Sequence, residues 1–411
     1  MLTPQQLLEV VDTMQPVIDE LNAWITKDMI RRLMARLERK EKLELTQTDV
    51  WQAKVYKDAG GHVEELQKQI AQFMKLSESE IQAIFLDAGI QAYEADCAIY
   101  EAAGLETVPL RQSRRMQQIL EDTYQRTKGE IWNFTRTTAN RSQAKLIEVL
   151  DKSHLKVISG ATSYSQAVKE AVDEIAASGQ ARVTYTDDSG RITRIDTLET
   201  AVLRAVRTGT AQASGNMAIE GMKEHDWDII LVSAHLGARY GDGGENPGNH
   251  FWWQGKFYSL NGKTKDLLPF AETTGYGTGP GLSGWNCRHS FGPGDGLHNP
   301  YKDYDSEENK QAYDLSQRQR RMESAIRKTK MKVLAYQEAL DNCTDAETKD
   351  VLQQAYDKQA LRLQQQNKAY NAFTDANNLK KLSDRLRIAK WSRSEAARAT
   401  AGARRAAARM K

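Results

Sequence analysis

The residues best suited to chemistry in this sequence are concentrated between positions 231 and 293. Four of the seven histidines lie in 235–298, and 15 of the 27 glycines lie in 237–296. Glycine adopts backbone conformations that other residues avoid, and each glycine costs conformational entropy on folding. A segment this rich in glycine and histidine therefore predicts either a specialised irregular fold or a functional site.

Metal binding is the first chemistry that this segment suggests. Zinc is held in proteins by histidine nitrogen and cysteine sulfur, and His235, His250, Cys287 and His289 carry those atoms. Fourteen residues separate the first two histidines, and Cys287-x-His289 is tighter than a usual ligand pair. Because this spacing matches no known zinc finger, we assign no metal and no cofactor from the sequence. The alternative role for His235 and His289 is to donate hydrogen bonds that brace a glycine-rich loop.

Nucleophilic catalysis is the second possibility, with Ser233 or Cys287 as nucleophile and His235 as base. No nucleophile-elbow glycines surround Ser233, and Cys287 has no recognisable protease context. The Trp285–His289 stretch has the Asn/His content of small nucleases but lacks their paired-ligand spacing, and the glycine run at 275–284 lacks the lysine of a phosphate-binding loop. The residues of this segment therefore form no recognisable catalytic motif.

The elements that would position this segment are mostly helices. Residues 1–158 read as a helical domain that begins with a capping box at Thr3–Gln6. Ala59-Gly60-Gly61 predicts a break between two helices, and Ser77–Glu80 predicts a new helix start. Tyr124, Trp132 and Phe134 are expected to lie in a helix–helix core.

Residues 159–300 read as a small α+β domain. Ser163-x-x-Gln166 starts an amphipathic helix, and β-branched runs on either side of Asp187–Gly190 predict a hairpin. Asp228–Ser233 is an apolar run typical of a strand. The runs 251–253 and 256–260, which flank Gln254-Gly255, predict a second hairpin.

Residues 301–390 predict a long antiparallel helical hairpin with a break near Asp341–Thr344, and a basic tail follows at 391–411. The apolar stripe of the hairpin is narrow, so it should gain stability by docking on neighbours. The predicted fold class is therefore α+β and predominantly α-helical.

The end of the chain concentrates positive charge. The net charge is +2, yet residues 385–411 carry nine basic residues against one acid, Glu395. This tail predicts salt-sensitive, sequence-independent binding of double-stranded DNA, or docking on an acidic protein surface. As a helix it would present no apolar face for packing. The basic residues are Arg385, Arg387, Lys390, Arg393, Arg398, Arg404, Arg405, Arg409 and Lys411.

The composition also indicates in which cellular environment the protein is made. Charged residues make up 27% of the chain, and no run of 18 apolar residues is present, so a soluble protein without a transmembrane helix is expected. The N-terminus has no basic region or cleavage pattern of a signal peptide. The cysteines Cys97, Cys287 and Cys343 are odd in number and far apart, which favours a reducing site of synthesis.

An ordered set of uncommon residues extends over about a hundred positions of the chain. Its members are Arg204, Arg207, Thr208, Asn216, Trp227, Asp228, Leu231, Val232, Ser233, His235, Gly237, Ala238, Arg239, Trp253, Gln254, Gly255, Lys256, Tyr258, Gly284, Trp285, Asn286, Cys287, Arg288 and His289. In this order the chain resembles the minor capsid protein 2 type of tailed bacteriophages, and through it the phage Mu F-type head-morphogenesis proteins, most strongly over 160–300. Where the wider Mu F-type relatives tend to show Cys-x-Cys, this chain has Cys287-Arg288-His289.

The resemblance implies a structural virion component and not an enzyme. Such a protein lies inside the head near the portal and assists head morphogenesis or DNA packaging and delivery. Its implied partners are the portal protein and other head proteins, and its implied location before assembly is the host cytoplasm, with no membrane in the assembled head. Two alternatives stay open. One is a head-packaged effector enzyme that uses the 231–293 cluster, and the other is a DNA-binding accessory protein that acts through the tail.

Overall fold

The computed structural model describes residues 1–37, 48–178 and 182–410. The chain is 68% helical with small antiparallel sheets, which confirms the predominantly α-helical α+β class. The α-helices are α1 (Pro4–Glu9), α2 (Met14–Leu37), α3 (Thr48–Ala102), α4 (Arg114–Ile158), α5 (Tyr164–Ser178), α6 (Leu198–Glu224), α7 (His250–Trp253), α8 (Phe270–Thr274), α9 (Ser306–Asp341), α10 (Ala346–Ala376) and α11 (Arg393–Arg409). The strands are β1 (Arg182–Thr186), β2 (Ile192–Thr197), β3 (Ile229–Val232), β4 (Phe257–Ser259) and β5 (Phe291–Pro293), and short 3₁₀ helices lie at Leu110–Gln112 and Ser383–Leu386.

The chain folds into two compact units that are interleaved in sequence. Unit 1 comprises Met1–Gln15, Lys75–Trp132 and Thr200–Gln317, and unit 2 comprises Pro16–Met74, Asn133–Glu199 and Arg318–Lys411. Helices α2, α3, α4, α6 and α9 each contribute residues to both units. The division along the sequence into 1–158, 159–300, 301–390 and 391–411 stays a prediction.

Unit 1 is built around a three-stranded antiparallel sheet in the order β4-β3-β5. Strand β3 lies in the centre because its apolar run can be buried on both faces. Ile230 and Val232 are fully covered on one face, and Leu231 is 4% exposed on the other. Helix α6 supplies Ala218 and Met222 to the same core. The other core side chains are Tyr100, Trp253, Tyr258, Phe270, Leu282, Cys287 and Phe291.

Unit 2 contains the predicted helical hairpin and the β1–β2 hairpin. Helix α9 ends at Asp341 and α10 begins at Ala346, with the Asp345 carboxylate accepting from the Thr348 amide at 2.7 Å, so the predicted break is confirmed. Strands β1 and β2 pair across the Asp187–Gly190 turn, as predicted. The helix break and the β-hairpin are both stabilised by hydrogen bonds within a few residues, and for this reason the sequence predicts them.

The predicted helix break at Ala59-Gly60-Gly61 is wrong, because α3 continues from Thr48 to Ala102. Each glycine costs a helix about 1 kcal/mol relative to alanine, and packing offsets this cost. Gly61 also makes room for a neighbour, since a Cβ there would lie 2.9 Å from Arg32 Nη1. The Ser77–Glu80 start signal lies inside the same helix and is wrong for the same reason, because Ser77 is fully buried in unit 1.

Two other expectations need correction. The predicted hairpin of 251–253 and 256–260 is wrong. Residues 250–253 form the helical turn α7, in which the side chain of the N-cap Asn249 accepts from the Trp252 amide. Strand β4 pairs with β3 instead. Trp132 is 55% exposed, so only Tyr124 and Phe134 of the predicted core aromatics are covered. Among the described helices, none is long and apolar enough to cross a membrane.

Candidate functional site

The glycine-rich segment of unit 1 forms the candidate site, and short elements separated by tight loops position it. Strand β3 leads into His235, α7 carries His250 and Trp253, and Cys287 and His289 immediately precede β5. The loops pack closely enough to exclude side chains. A Cβ added at Gly284 would overlap the carbonyl oxygen of Gly279. The glycines therefore allow the chain to fold back on itself around the aromatic and imidazole rings.

His289 lies at the centre of a ring cluster. The His235 ring stacks on it with centroids 4.5 Å apart, and the Trp253 ring meets it edge-on at 4.8 Å. The His250 ring lies 5.4 Å away in an edge-to-face arrangement. Both His250 and His289 are almost fully buried, whereas His235 is half-buried. The structure thus brings together three histidines that the sequence places up to 54 positions apart (289 − 235).

Hydrogen bonds fix the orientation of these rings. Gln254 Oε1 accepts from the His235 backbone amide and from His289 Nε2, each at 3.0 Å. His250 Nε2 donates to the Pro280 carbonyl at 2.8 Å, and His235 Nδ1 donates to the Leu236 carbonyl at 3.0 Å. Since buried polar groups need partners, these bonds brace the loops, as the alternative role for His235 and His289 predicts.

The two buried histidines, His250 and His289, are uncharged at neutral pH. Burial lowers the pKa of His250 to about 3 and lowers the pKa of His289 well below its ordinary value, because a charged imidazole is poorly solvated there. Burial likewise raises the pKa of the Cys287 thiol. His289 Nδ1 lies 3.6 Å from Cys287 Sγ. The site therefore presents neutral nitrogen and sulfur atoms to one another.

Two arginines of the motif hold backbone carbonyls of the same loops. Arg239 donates to the Trp285 carbonyl at 2.6 Å and to the Pro280 carbonyl at 3.3 Å. Arg288 donates to the Gly237 carbonyl at 3.5 Å. Asn286 does not join the cluster, because its side chain is exposed and its backbone has a left-handed φ of 57°.

The other motif residues lie around the cluster. Ser233 is fully buried, and its Oγ accepts from the Ser290 amide at 2.9 Å. Gly255 adopts a φ of 65°, and its amide donates to the Ser233 carbonyl. This geometry leaves the hydroxyl engaged as a structural acceptor.

The motif residues of α6 contact different segments of unit 1. Thr208 Oγ1 donates to the Gly284 carbonyl at 3.4 Å, and Asn216 accepts from the Tyr276 hydroxyl at 2.8 Å, so both bind the glycine-rich segment. Arg207 instead donates to the Leu7 carbonyl at 3.0 Å, and Arg204 is buried. The assignment of these residues as a structural motif stays a prediction.

The basic tail is docked in unit 2, which corrects the expectation that it has no face for packing. Helix α11 buries a stripe of small residues against α10. A Cβ at Gly402 would lie 2.9 Å from the Tyr356 ring, so the two helices approach closely. Hydropathy patterns miss such a face because alanine and glycine are weakly apolar. The buried residues are Ala399, Gly402, Ala403 and Ala406.

Several charges of the tail are engaged within unit 2. Arg405 Nη2 and Arg409 Nη1 contact the fully buried Asp357 carboxylate at 2.7 and 3.0 Å. Arg393 and Arg404 are exposed and form no ion pair among the described residues, Arg385 is half-buried, and Lys411 lies outside the described residues. The remaining ion pairs are Arg387–Asp384, Lys390–Glu20 and Arg398–Glu395.

Comparison with protein families decides the identity of the chain. The family model described as Phage minor capsid protein 2 matches residues 2–375. The chain belongs to this phage minor capsid family. No curated protein and no solved structure matches it. As a family member it is a structural protein of the bacteriophage virion, and other head proteins are its expected partners. Residues 376–411 lie beyond the matched range.

In a second cluster of this minor capsid protein, an aspartate, a histidine and a serine are hydrogen-bonded in the same order as in the triad of a serine hydrolase. In unit 2, His62 Nδ1 lies 2.7 Å from Asp28 Oδ2, and His62 Nε2 lies 2.8 Å from Ser142 Oγ. Burial alone would raise the pKa of Asp28, but hydrogen bonds from His62 and Arg32 outweigh it and hold the pKa below its ordinary value. Sequence reasoning missed this cluster because its members lie on three helices with no motif around them.

A third cluster surrounds Asp228, which immediately precedes β3. The family resemblance includes this residue, but the sequence assigned it no partners. Its carboxylate accepts from Ser259 Oγ at 2.7 Å, from the Asn261 amide at 2.7 Å, and from the amide and hydroxyl of Thr264 at 2.9 and 2.8 Å. Burial alone would raise the pKa of Asp228, but these bonds lower it to about 2. Asp228 therefore fixes the loop after β4 while it stays ionised.

We expect Asp228→Asn to weaken unit 1 at neutral pH and to reduce its sensitivity to acid. The folded pKa of the carboxyl lies below its unfolded value, so its contribution to stability is complete above about pH 4 and is lost as the pH falls toward 2. We expect the free energy of unfolding to fall by roughly 2 kcal/mol over this pH range through loss of the carboxylate. Hydrogen exchange of β3 and β4 peptides at pH 7 and pH 3 measures it.

Asp226→Asn is the matched control, because Asp226 is 87% exposed and only two positions away. Its exchange should follow that of the unmodified protein at both pH values. Equal acid sensitivity of the Asp228→Asn variant and the unmodified protein would contradict the assigned role of this carboxylate.

Proposed function

We propose that this protein lies inside the phage head near the portal, where it binds the portal protein and assists head morphogenesis or DNA packaging and delivery. The observation that carries the proposal is the family match over residues 2–375, a range that includes unit 1 apart from Met1 and most of unit 2. The protein would be recruited in the host cytoplasm while the head is assembled. The relationship to the phage Mu F-type head-morphogenesis proteins stays a prediction.

We also propose that its role is structural rather than catalytic. The burial of the groups best suited to chemistry supports this reading. His250, Cys287 and His289 are each 2% exposed or less, and Asp28, His62 and Ser142 are each 8% exposed or less. A substrate needs access to a nucleophile and its base. In the first cluster the side chains instead bond to Gln254 and to the Pro280 carbonyl. In the second, His62 bonds to Asp28 and Ser142, and Arg32 donates to Asp28.

Contact with double-stranded DNA through the tail is the weaker alternative. The exposed Arg393 and Arg404 support it, because exposed guanidinium groups can neutralise phosphates. Asp357 pairs with Arg405 and Arg409. These two arginines are therefore less available to phosphates, so the nine basic residues do not all form one DNA-binding surface. Docking of α11 on its own chain accounts for that part of the tail without a nucleic acid.

Cross-linking inside intact heads tests the location. Empty and DNA-filled heads would be treated with an amine-reactive cross-linker and analysed by mass spectrometry. We expect exposed lysines such as Lys265 and Lys302 to join to portal subunits in both preparations. Heads assembled without portal protein are the control, and they should lack this chain. Cross-links to the major capsid protein alone, or equal incorporation without a portal, would contradict the proposal.

A further inference from the structure

We propose that His250, Cys287 and His289 of unit 1 bind one zinc ion. One ligand atom from each of the three side chains lies within 4.8 Å of the others, and all three side chains are buried. Nitrogen from histidine and sulfur from cysteine are the ligands that zinc prefers. The spacing argument from the sequence did not assign this site, because His250 reaches it only through the fold.

The separation of two ligand atoms already fits a tetrahedral zinc site. Zinc lies about 2.3 Å from cysteine sulfur and about 2.1 Å from histidine nitrogen, so a tetrahedral angle places the two ligands about 3.6 Å apart. His289 Nδ1 and Cys287 Sγ are 3.6 Å apart. Binding of zinc by all three side chains therefore requires only the His250 nitrogen to move closer to the other two ligand atoms.

The hydrogen bonds of both histidines prepare them as ligands. His289 Nε2 donates to Gln254 Oε1, and His250 Nε2 donates to the Pro280 carbonyl. A neutral imidazole that carries its proton on Nε2 keeps a lone pair on Nδ1. Ligating histidines commonly donate their second N–H to an oxygen acceptor in this way, which fixes the tautomer and the ring orientation.

His235 is not a fourth ligand, although it lies beside the site. Its ring stacks on His289 with an interplanar angle of 22° and a centroid separation of 4.5 Å. The lone pairs of two stacked rings lie in separate, nearly parallel planes, so they cannot meet at one ion. Three protein ligands thus hold the metal, and the fourth position falls to a solvent molecule.

The role of the ion would be to cross-link the glycine-rich segment. His250 lies at the start of α7, whereas Cys287 and His289 lie beside β5, so the metal would tie two distant parts of the segment together. Fifteen glycines between 237 and 296 make the unfolded segment flexible. Three protein ligands and one water are the composition of catalytic zinc sites, but the ligand side chains here are each 2% exposed or less. A buried water can occupy the fourth position whereas a substrate cannot, so we assign the ion a structural role. This inference does not depend on where the protein lies in the head.

Metal content of the full-length chain tests the proposal. Protein purified without chelator, equilibrated with zinc and then gel-filtered should contain about one zinc per chain. Replacement of zinc by cobalt should give a thiolate-to-metal charge-transfer band and the intense visible bands of tetrahedral cobalt. Neither measurement needs a variant, so a folding defect cannot obscure the answer. A chain that binds no zinc, or a cobalt form without the thiolate band, would overturn the proposal.

Variants then identify the ligands. Cys287→Ser should abolish the cobalt thiolate band, whereas Cys97→Ser and Cys343→Ser, which alter the two other buried cysteines, should retain it. Gln254→Ala keeps all three ligands but removes the acceptor for His289 Nε2. It should lower zinc affinity by about tenfold to a hundredfold. Unchanged zinc affinity in Cys287→Ser would refute the site.

Discussion

Replacement of Trp253 by alanine is expected to lower the free energy of unfolding of unit 1 by about 3–5 kcal/mol. The indole is fully buried in the core that contains Ile230, Tyr258 and Phe291. Its Nε1 also donates to the Pro247 carbonyl at 3.0 Å, so the variant leaves both a cavity and an unpaired carbonyl.

Two compact units make a single unfolding transition an unsafe assumption, so the measurement should be local. Native-state hydrogen exchange of β3 and β5 peptides in the full chain reports the stability of unit 1. Trp285→Ala is the control, because that indole is 56% exposed, and its effect should stay within about 1 kcal/mol. A loss in Trp253→Ala as small as that expected for Trp285→Ala would show that the core does not depend on Trp253.

Replacement of Asp28 by alanine is expected to destabilise unit 2 by about 3–5 kcal/mol. The carboxylate accepts from Arg32 Nε at 2.7 Å and contacts His62 Nδ1 at the same distance. Without it, the fully buried His62 and the partly buried Arg32 lose their shared partner. Removal of one member of a buried network costs far more than removal of an exposed ion pair.

Asp58→Ala supplies the matched comparison, because Asp58 pairs with Arg36 in the same unit but is 24% exposed. It should cost about 1 kcal/mol or less. Hydrogen exchange of α2 and of the start of α3 measures both variants. Equal losses would mean that burial does not distinguish the two carboxylates.

The same cluster also allows a test for catalysis. A serine-reactive fluorophosphonate should leave Ser142 unlabelled in the unmodified protein, and labelling there would indicate a catalytic triad.

Local signals in the sequence predicted those features whose energy is local. The capping box at Thr3–Gln6, the turn at Asp187–Gly190 and the break before Asp345 are each formed by hydrogen bonds between residues a few positions apart. Such bonds join residues that are already close together in the sequence. The prediction of these elements therefore needed no knowledge of packing.

The predictions that were wrong concern features in which packing outweighs a local preference. The Gly60-Gly61 pair carries a local helix cost of about 2 kcal/mol, yet the helix continues because buried residues on both sides, such as Val55 and Leu66, hold it in the core. The tail has almost no large apolar residues, yet close approach at Gly402 and the charge of Asp357 dock it.

The sequence by itself determined the helix-rich class, the family and the concentration of histidine and glycine in one segment, because composition, order and short-range patterns express these properties directly. Only the tertiary structure decided which distant groups meet: His250 with Cys287 and His289, His62 with Asp28 and Ser142, and Arg405 with Asp357. The physical reason is that these pairings depend on how whole elements pack, and elements tens of residues apart approach one another only when the hydrophobic cores of the two units form.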